Sequence, residues 1–452
     1  MTPTERTVEA LPHHLRRWVV AQDYAAYTAR DQQTWRTILG RLTAELPARA
    51  HPSYLAGLAS TGISVERIPS LDEMNEKLQR FGWGAVAVAG FISPAAFTEL
   101  QSRRVLAIAT AIRRPEHLEY TPAPDIVHES AGHAPLLADA RYAEYLQRIG
   151  EVSWKAIGAA EDRAVFEAVR DLSVVKEDAG ATPDRVALAE GRLQAAVASV
   201  PFASEGARAG RLYWWTAEYG LVGPLEAPKL YGAGLLSSLG EAARCLDPGV
   251  RKVRLDAGCV EVSFDITRMQ PQLFVADDFD QLFTVLEAFA ATLSFRRGGD
   301  HGLGEALRSR TVVELGLPGG RTLSGRVAEV VPAAAAVAPG LTAALVLLDG
   351  PVHRAEAAGP GTGGRFSGPA LVAFGRSAPL PAGRFDLLLE TGLELSGLHV
   401  GANEVLQLSG TLRGRPLALP TRALLEVAER LPSVSGGPAG PEPTPAGDAP
   451  TS

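Results

Sequence analysis

The texture of this chain changes near Arg297, and that change limits its fold more than any other feature. Upstream, segments carry helix punctuation. "SLDEMNEKLQRFG" opens with Ser70, has Glu73 three residues on and stops at Gly82, the pattern of a capping box and a glycine end. "SPAAFTELQSRRVLAIAT" puts Ser93 at an N-cap and Pro94 at the first helical position, and "TPDRVALAEGRLQAAVASV" repeats the device with Thr182 and Pro183. In "EDRAVFEAVRDLSVVKED", Phe166, Val169 and Leu172 fall at helical spacing and predict a core-facing stripe.

Downstream of about Gly304 the chain reads differently. "RTVVELGLPGGRTLSGRVAEVV", "TAALVLLDGPVHRAEAAG", "RFDLLLETGLEL" and "EVLQLSGTLRGRPLAL" are short apolar runs broken by Gly, Pro and Asp, which predicts a small antiparallel β domain. "AAGPGTGGRFSGP" reads as a flexible loop, and the Pro-, Gly- and Ser-rich end as disordered. The expected layout is an N-terminal extension over 1–22, a mainly α catalytic domain over 23–300, a β-rich domain over 301–432 and a disordered tail over 433–452.

At 46% hydrophobic and 21% charged residues, the composition suits a packed core. The net charge of −7 argues against nucleic acid or an anionic membrane as the main partner, and no apolar run approaches the roughly 18 residues of a membrane span. Cys245 and Cys259 form no CxxC pair, and the N-terminus lacks a signal-peptide core, so a reducing, cytoplasmic setting is expected.

The chemistry concentrates in "PDIVHESAGH", where His128, Glu129 and His133 form His-Glu-x-x-x-His, one residue longer than the zinc-protease spacing. On an ideal α-helix, residues five apart point roughly 140° from each other, against roughly 40° for four apart. Both imidazoles reach one ion only if His133 lies at or beyond a helix end; Asp125 can cap the start, and Gly132 and Pro135 bracket the finish. The spacing fits a structural histidine pair equally well. A third ligand must be a distant carboxylate, and Glu218 in "GRLYWWTAEYGLVG" is the candidate, because a carboxylate among so many aromatics needs a partner. Two histidines and one carboxylate form the facial triad of non-haem Fe(II) oxygenases. Zinc would bind the same donors, which leaves a zinc-dependent hydrolase with Glu129 as general base as the alternative.

"YTPAPDIVHESAGHAPLLADARYAEYLQRIGE", "YWWTAEYGLVG", "KLYGAGLLSSLGEAARCL" and "RMQPQLFVADDFDQLFTVLEAFAATL" resemble, in order, the blocks of the tetrahydropterin-dependent aromatic amino acid hydroxylases, over about Asp23 to Phe295. The resemblance implies that family's α-rich catalytic fold. It also implies Fe(II) held by His128, His133 and Glu218, with Ser237 supporting the first histidine. It places Arg113 on the carboxylate of the amino acid substrate and Thr121, Pro124, Trp214 and Tyr219 on the pocket wall. Gly90, Phe91, Ile92, Phe97 and Tyr213 fall on the pterin side, where Glu129 faces the pterin.

The implied reaction uses O2, a tetrahydropterin and a free aromatic amino acid, one oxygen atom ending on the pterin and the other on the ring. Layout without a regulatory domain is similar to bacterial phenylalanine 4-monooxygenases, so phenylalanine is the expected substrate, ahead of tryptophan or tyrosine. The β-rich domain has no role in that family pattern; dimerisation through it, regulator binding and stabilisation stay open.

Overall fold

The computed structural model describes residues 1–119, 123–178, 180–266, 268–333, 342–355, 364–375, 380–391 and 393–437. They form two compact units: Met1–Trp154 with Glu161–Ala291, and Lys155–Ala160 with the chain from Thr292 onward.

The first unit is mainly helical, and several helices start where the sequence places them. Ser93 Oγ accepts from the backbone N–H of Ala96 at the head of Pro94–Ser102, and Thr182 does the same for Arg185 at the head of Pro183–Ala198. In Ala29–Glu45, Trp35, Ile38, Leu39 and Leu42 are all buried, a single face at i, i+3, i+4 and i+7. The helix after Ser70 departs from expectation. It runs Leu71–Leu78 with no side-chain cap from Ser70, and the Glu73 carboxylate pairs with Arg67 at 2.7 Å. A short 3-10 turn, Gln79–Phe81, then leads to Gly82, whose φ of 71° is the left-handed stop that glycine permits. The stripe on Ala160–Glu177 is shallower than predicted: Leu172 is buried, while Phe166 and Val169 are partly exposed.

Two small sheets complete this unit. β1 (Gly84–Val88) pairs in parallel with β2 (Val105–Ala109), and all ten residues are buried. β3 (Leu221–Val222), β4 (Lys229–Leu230), β5 (Arg251–Arg254) and β6 (Gln272–Ala276) form a sheet of order β4-β3-β6-β5. No described helix is long and apolar enough to cross a membrane.

The second unit is β-rich, as the broken apolar runs predict. Its strands are β7 (Val312–Leu317), β8 (Arg321–Pro332), β9 (Ala343–Ala355), β10 (Gly364–Phe366), β11 (Ala370–Phe374), β12 (Gly383–Leu388), β13 (Leu393–Gly401), β14 (Glu404–Leu412), β15 (Arg415–Pro416), β16 (Arg422–Ala428) and β17 (Ser433–Gly436). They form one sheet of order β12-β13-β14-β16-β11-β9-β8-β7-β17, with β10 on β9 and β15 on β14. The sheet is not wholly antiparallel, because β11 and β16 run in parallel.

Both faces of its middle are apolar. Val346, Leu348, Val372 and Leu424 face one core, and Leu345, Leu371, Ala373 and Leu425 face another. That is why these strands read as continuous apolar runs rather than as alternation. Two segments whose composition predicts irregular structure contribute strands. Ser433–Gly436 pairs with β7 although its Ser- and Gly-rich sequence reads as tail, and β10 lies within the stretch expected to be a loop. Residues 357–363 of that loop and 438–452 of the tail lie outside the described residues.

Candidate metal centre

The extra residue between His128 and His133 is absorbed by the backbone. Val127–His133 is a π-helix, followed directly by a 3-10 turn over Ala134–Ala138. A π-helix bonds i to i+5, so residues five apart return to one face, as residues four apart do on an α-helix. His133 is also the last residue of the segment, where the α-helical argument required a helix end. The third element repeats the device: Trp214–Glu218 is π-helical, closed by Tyr219 N–H donating to the Trp214 carbonyl at 2.8 Å.

These two turns bring the expected donors together. One ligand atom each from His128, His133 and Glu218 lies within 4.8 Å of the others. Glu218 faces both rings: Oε2 is 3.2 Å from His128 Nε2 and Oε1 is 3.1 Å from His133 Nε2. His133 is fully buried and Glu218 is 8% exposed. Burial alone would raise the Glu218 pKa, but the two imidazoles overcome it and hold the carboxyl well below the usual range.

The tautomer of His128 follows from its neighbour. Ser237 Oγ donates to the Ala233 carbonyl at 2.7 Å and lies 3.0 Å from His128 Nδ1, so it accepts the Nδ1 hydrogen. Nε2 then carries its lone pair toward the Glu218 carboxylate, an arrangement that a cation between them resolves. Ser237 comes this close because Gly132 has no side chain; a Cβ there would meet the Ala233 carbonyl oxygen at 2.8 Å.

Arg113 and Asp125 form a buried ion pair beside this centre. Arg113 Nε and Nη2 donate to the two carboxylate oxygens of Asp125 at 2.8 and 2.7 Å, and Nη1 donates to the Ser237 carbonyl at 2.9 Å. Among the described residues this uses three of the five guanidinium N–H groups and leaves two for a ligand. Asp125 also accepts from the backbone N–H of His128 at 2.9 Å, the capping role read from sequence. Burial opposes its ionisation, but Arg113 prevails and its pKa is lowered. Arg114 is half-exposed and pairs with Glu116.

The aromatic residues line the same region. Trp214 stacks on Tyr219, 4.4 Å between ring centres, and on Phe264 at 4.2 Å with an interplanar angle of 7°. Phe97 meets Tyr213 edge-on at 5.8 Å, and Tyr213 lies 6.5 Å from the His133 ring. Gly90 is exposed with φ 61°, Phe91 is partly buried and Ile92 buried, so the loop before Phe97 offers backbone to solvent. Glu129 is 4% exposed, burial pushes its carboxyl up to about 8, and its Oε2 has no hydrogen-bond partner among the described residues. Pro124 is partly buried; Thr121 lies outside the described residues.

Three contributors escape the sequence reading. Phe264 carries no motif and stacks on Trp214 from a distant segment. Gln101, one turn after Phe97, donates to the Tyr213 hydroxyl at 2.6 Å. Tyr145 donates to Thr216 Oγ1 at 2.7 Å inside the turn that carries Glu218. For Gln101 the signal was its place on the Phe97 face of a helix; for the other two there was none.

The family described as biopterin-dependent aromatic amino acid hydroxylase matches residues 20–169 and 193–297. Phenylalanine-4-hydroxylase of Ralstonia nicotianae is 30% identical over 293 residues, covering 64% of this chain and 76% of that protein. The Chromobacterium violaceum phenylalanine-4-hydroxylase is 29% identical over 289 residues, covering 63% and 79%. A crystal structure of the C. violaceum enzyme with bound iron(III) and 7,8-dihydrobiopterin aligns at a TM-score of 0.49 and 29% identity, over 64% of this chain and 90% of that one. The family match spans more than half of the sequence, breaks only across 170–192 and stops before the β-rich unit. By that match, this chain belongs to the biopterin-dependent aromatic amino acid hydroxylases.

Proposed function

We propose that the protein hydroxylates the ring of a free aromatic amino acid, converting L-phenylalanine to L-tyrosine, with O2 and a tetrahydropterin as co-substrates at one Fe(II). The observation that carries this reading is the largely buried His128, His133 and Glu218 cluster on two π-helical turns. Its donor set suits the metal: two imidazoles and a carboxylate occupy three positions of an octahedral shell and leave the others open. Iron and the reduced pterin together would supply the activation of O2.

The protein's own work is positioning. Ser237 holds His128 in the tautomer that presents Nε2. Arg113, fixed by Asp125 and by the Ser237 carbonyl, offers its two remaining N–H groups to the substrate carboxylate. Trp214, braced between Phe264 and Tyr219, would form part of the wall that aims the ring, and by the resemblance Pro124 and Thr121 would contribute to it. On the other side, Gly90, Phe91 and Ile92 would meet the pterin with backbone groups, while Phe97 and Tyr213 supply aromatic faces. Glu129 brings a buried carboxyl oxygen that is free to take or give a proton there.

Phenylalanine is preferred over tyrosine and tryptophan because the relatives named above are phenylalanine-4-hydroxylases. Zinc would bind the same donors, and it is the family match that disfavours the zinc hydrolase alternative. The test supplies Fe(II), tetrahydropterin and O2 with Phe, Tyr or Trp in separate reactions and reads products by mass. Tyrosine from phenylalanine at the highest rate supports the reading. A faster hydroxylation of tryptophan or tyrosine would replace the substrate assignment while keeping the reaction.

A further inference from the structure

The β-rich unit ends on one side in β12, and among the described residues no strand pairs with its outer edge. An edge strand of this kind presents backbone N–H and C=O groups to any strand that fits it. Along β12, Phe385 is buried, whereas Arg384, Asp386 and Leu388 lie on the exposed face, with Leu388 70% exposed. Among the described residues, Arg384 and Asp386 enter no ion pair, so two adjacent opposite charges stand unmatched beside an open edge.

We propose that β12 pairs antiparallel with β12 of a second copy of this chain, about a two-fold axis passing through Phe385. The register follows from charge. Antiparallel self-pairing about any residue of β12 keeps the buried face buried, and the centres that set the two charged positions opposite themselves or each other are Arg384, Phe385 and Asp386. Centring on Arg384 sets Arg384 opposite itself, and centring on Asp386 sets Asp386 opposite itself; directly opposed like charges destabilise a strand pair. Centring on Phe385 sets Arg384 opposite Asp386 twice and places exposed Leu388 opposite Ala382. Only this register satisfies both charges, and it continues the sheet from one copy to the next. The inference stands independently of the proposed reaction.

The test is sedimentation velocity on the full chain over a range of concentrations, with charge-reversal variants at these two surface positions. The parent chain is expected to dimerise. Arg384→Asp alone and Asp386→Arg alone should each weaken self-association at least about tenfold, since each converts two attractive oppositions into two repulsive ones. Mixing the two single variants should restore a dimer between them, and the double variant R384D/D386R should again self-associate. A parent chain that stays monomeric throughout overturns the proposal. So does a dimer that neither single variant weakens, and so do single variants whose mixture fails to associate.

Discussion

Ser237 Oγ sits 3.0 Å from His128 Nδ1 with its own hydrogen committed to the Ala233 carbonyl, so one hydroxyl decides which nitrogen of His128 is left to bind a metal. The same residue's carbonyl accepts from Arg113. Ser237→Ala should therefore loosen His128 without removing any of the three candidate donors. The expected result is a metal affinity weaker by roughly 10- to 100-fold, the usual cost of losing such a partner. Anaerobic Co(II) titration, followed by its visible spectrum, checks this; an unchanged affinity would mean that packing alone orients His128.

The π-helical turn carrying Glu218 depends on a hydroxyl relay. Tyr145 donates to Thr216 Oγ1, and Thr216 donates to the Leu212 carbonyl at 2.6 Å. Thr216→Val keeps the shape but strands the fully buried Tyr145 hydroxyl, which should cost about 1–3 kcal/mol. Adding Tyr145→Phe removes the stranded group, so the double variant should be more stable than Thr216→Val alone. Denaturant unfolding of the parent and three variants measures the coupling, and strict additivity would contradict the relay.

Glu241 supplies a pH-dependent contribution away from the His128, His133 and Glu218 cluster. Burial pushes its carboxyl up to about 7, against the opposing hydrogen bond from the Gln270 N–H and the charge of Arg244. The folded chain keeps this proton over a range in which the unfolded chain, near 4.5, has lost it. The contribution is therefore fully present below the unfolded value, declines as pH rises toward 7 and levels off above it. Its size is on the order of 2–3 kcal/mol. Glu241→Gln retains an acceptor for the Gln270 N–H and removes the titration, so it should stabilise the protein at pH 8 relative to the parent and much less at pH 4. Equal effects of the substitution on melting at both values would refute this.

In the β-rich unit, Glu426 is 1% exposed and meets Asn403 Nδ2 at 2.9 Å, Arg354 Nε at 3.1 Å and the Arg321 guanidinium. Removing a buried charge that others are arranged around is expensive. Glu426→Ala should destabilise this unit by about 3–5 kcal/mol. Amide exchange in β16 and β8 should accelerate accordingly, and protection equal to the parent's would show that the arginines find water instead.

What the sequence revealed and what it hid divide along a physical line. Ser93 and Thr182 cap their helices because a cap is a local event between residues three apart. Ser70 makes no such cap, and the Glu73 side chain that a capping box would use pairs with Arg67, a partner that spacing does not record. His128, His133 and Glu218 were recognisable, yet the π-helical turns that let a five-residue spacing work were not, since the α-helical period was the only ruler available. Phe264 and Tyr145 reach the site through tertiary packing alone. Ser433–Gly436 became a strand for a similar reason: β7 supplies the partner that its own composition does not predict.

The central claim is that His128, His133 and Glu218 hold one redox-active iron that serves ring hydroxylation. Its most direct test is an anaerobic Fe(II) titration of the parent and of Glu218→Ala, followed by phenylalanine, tetrahydropterin and isotopically labelled O2. The account predicts one Fe(II) per parent chain, labelled oxygen in the tyrosine formed and loss of both in the variant. Labelled tyrosine made equally well by Glu218→Ala, or a parent chain that binds iron yet oxidises neither pterin nor phenylalanine, would contradict it.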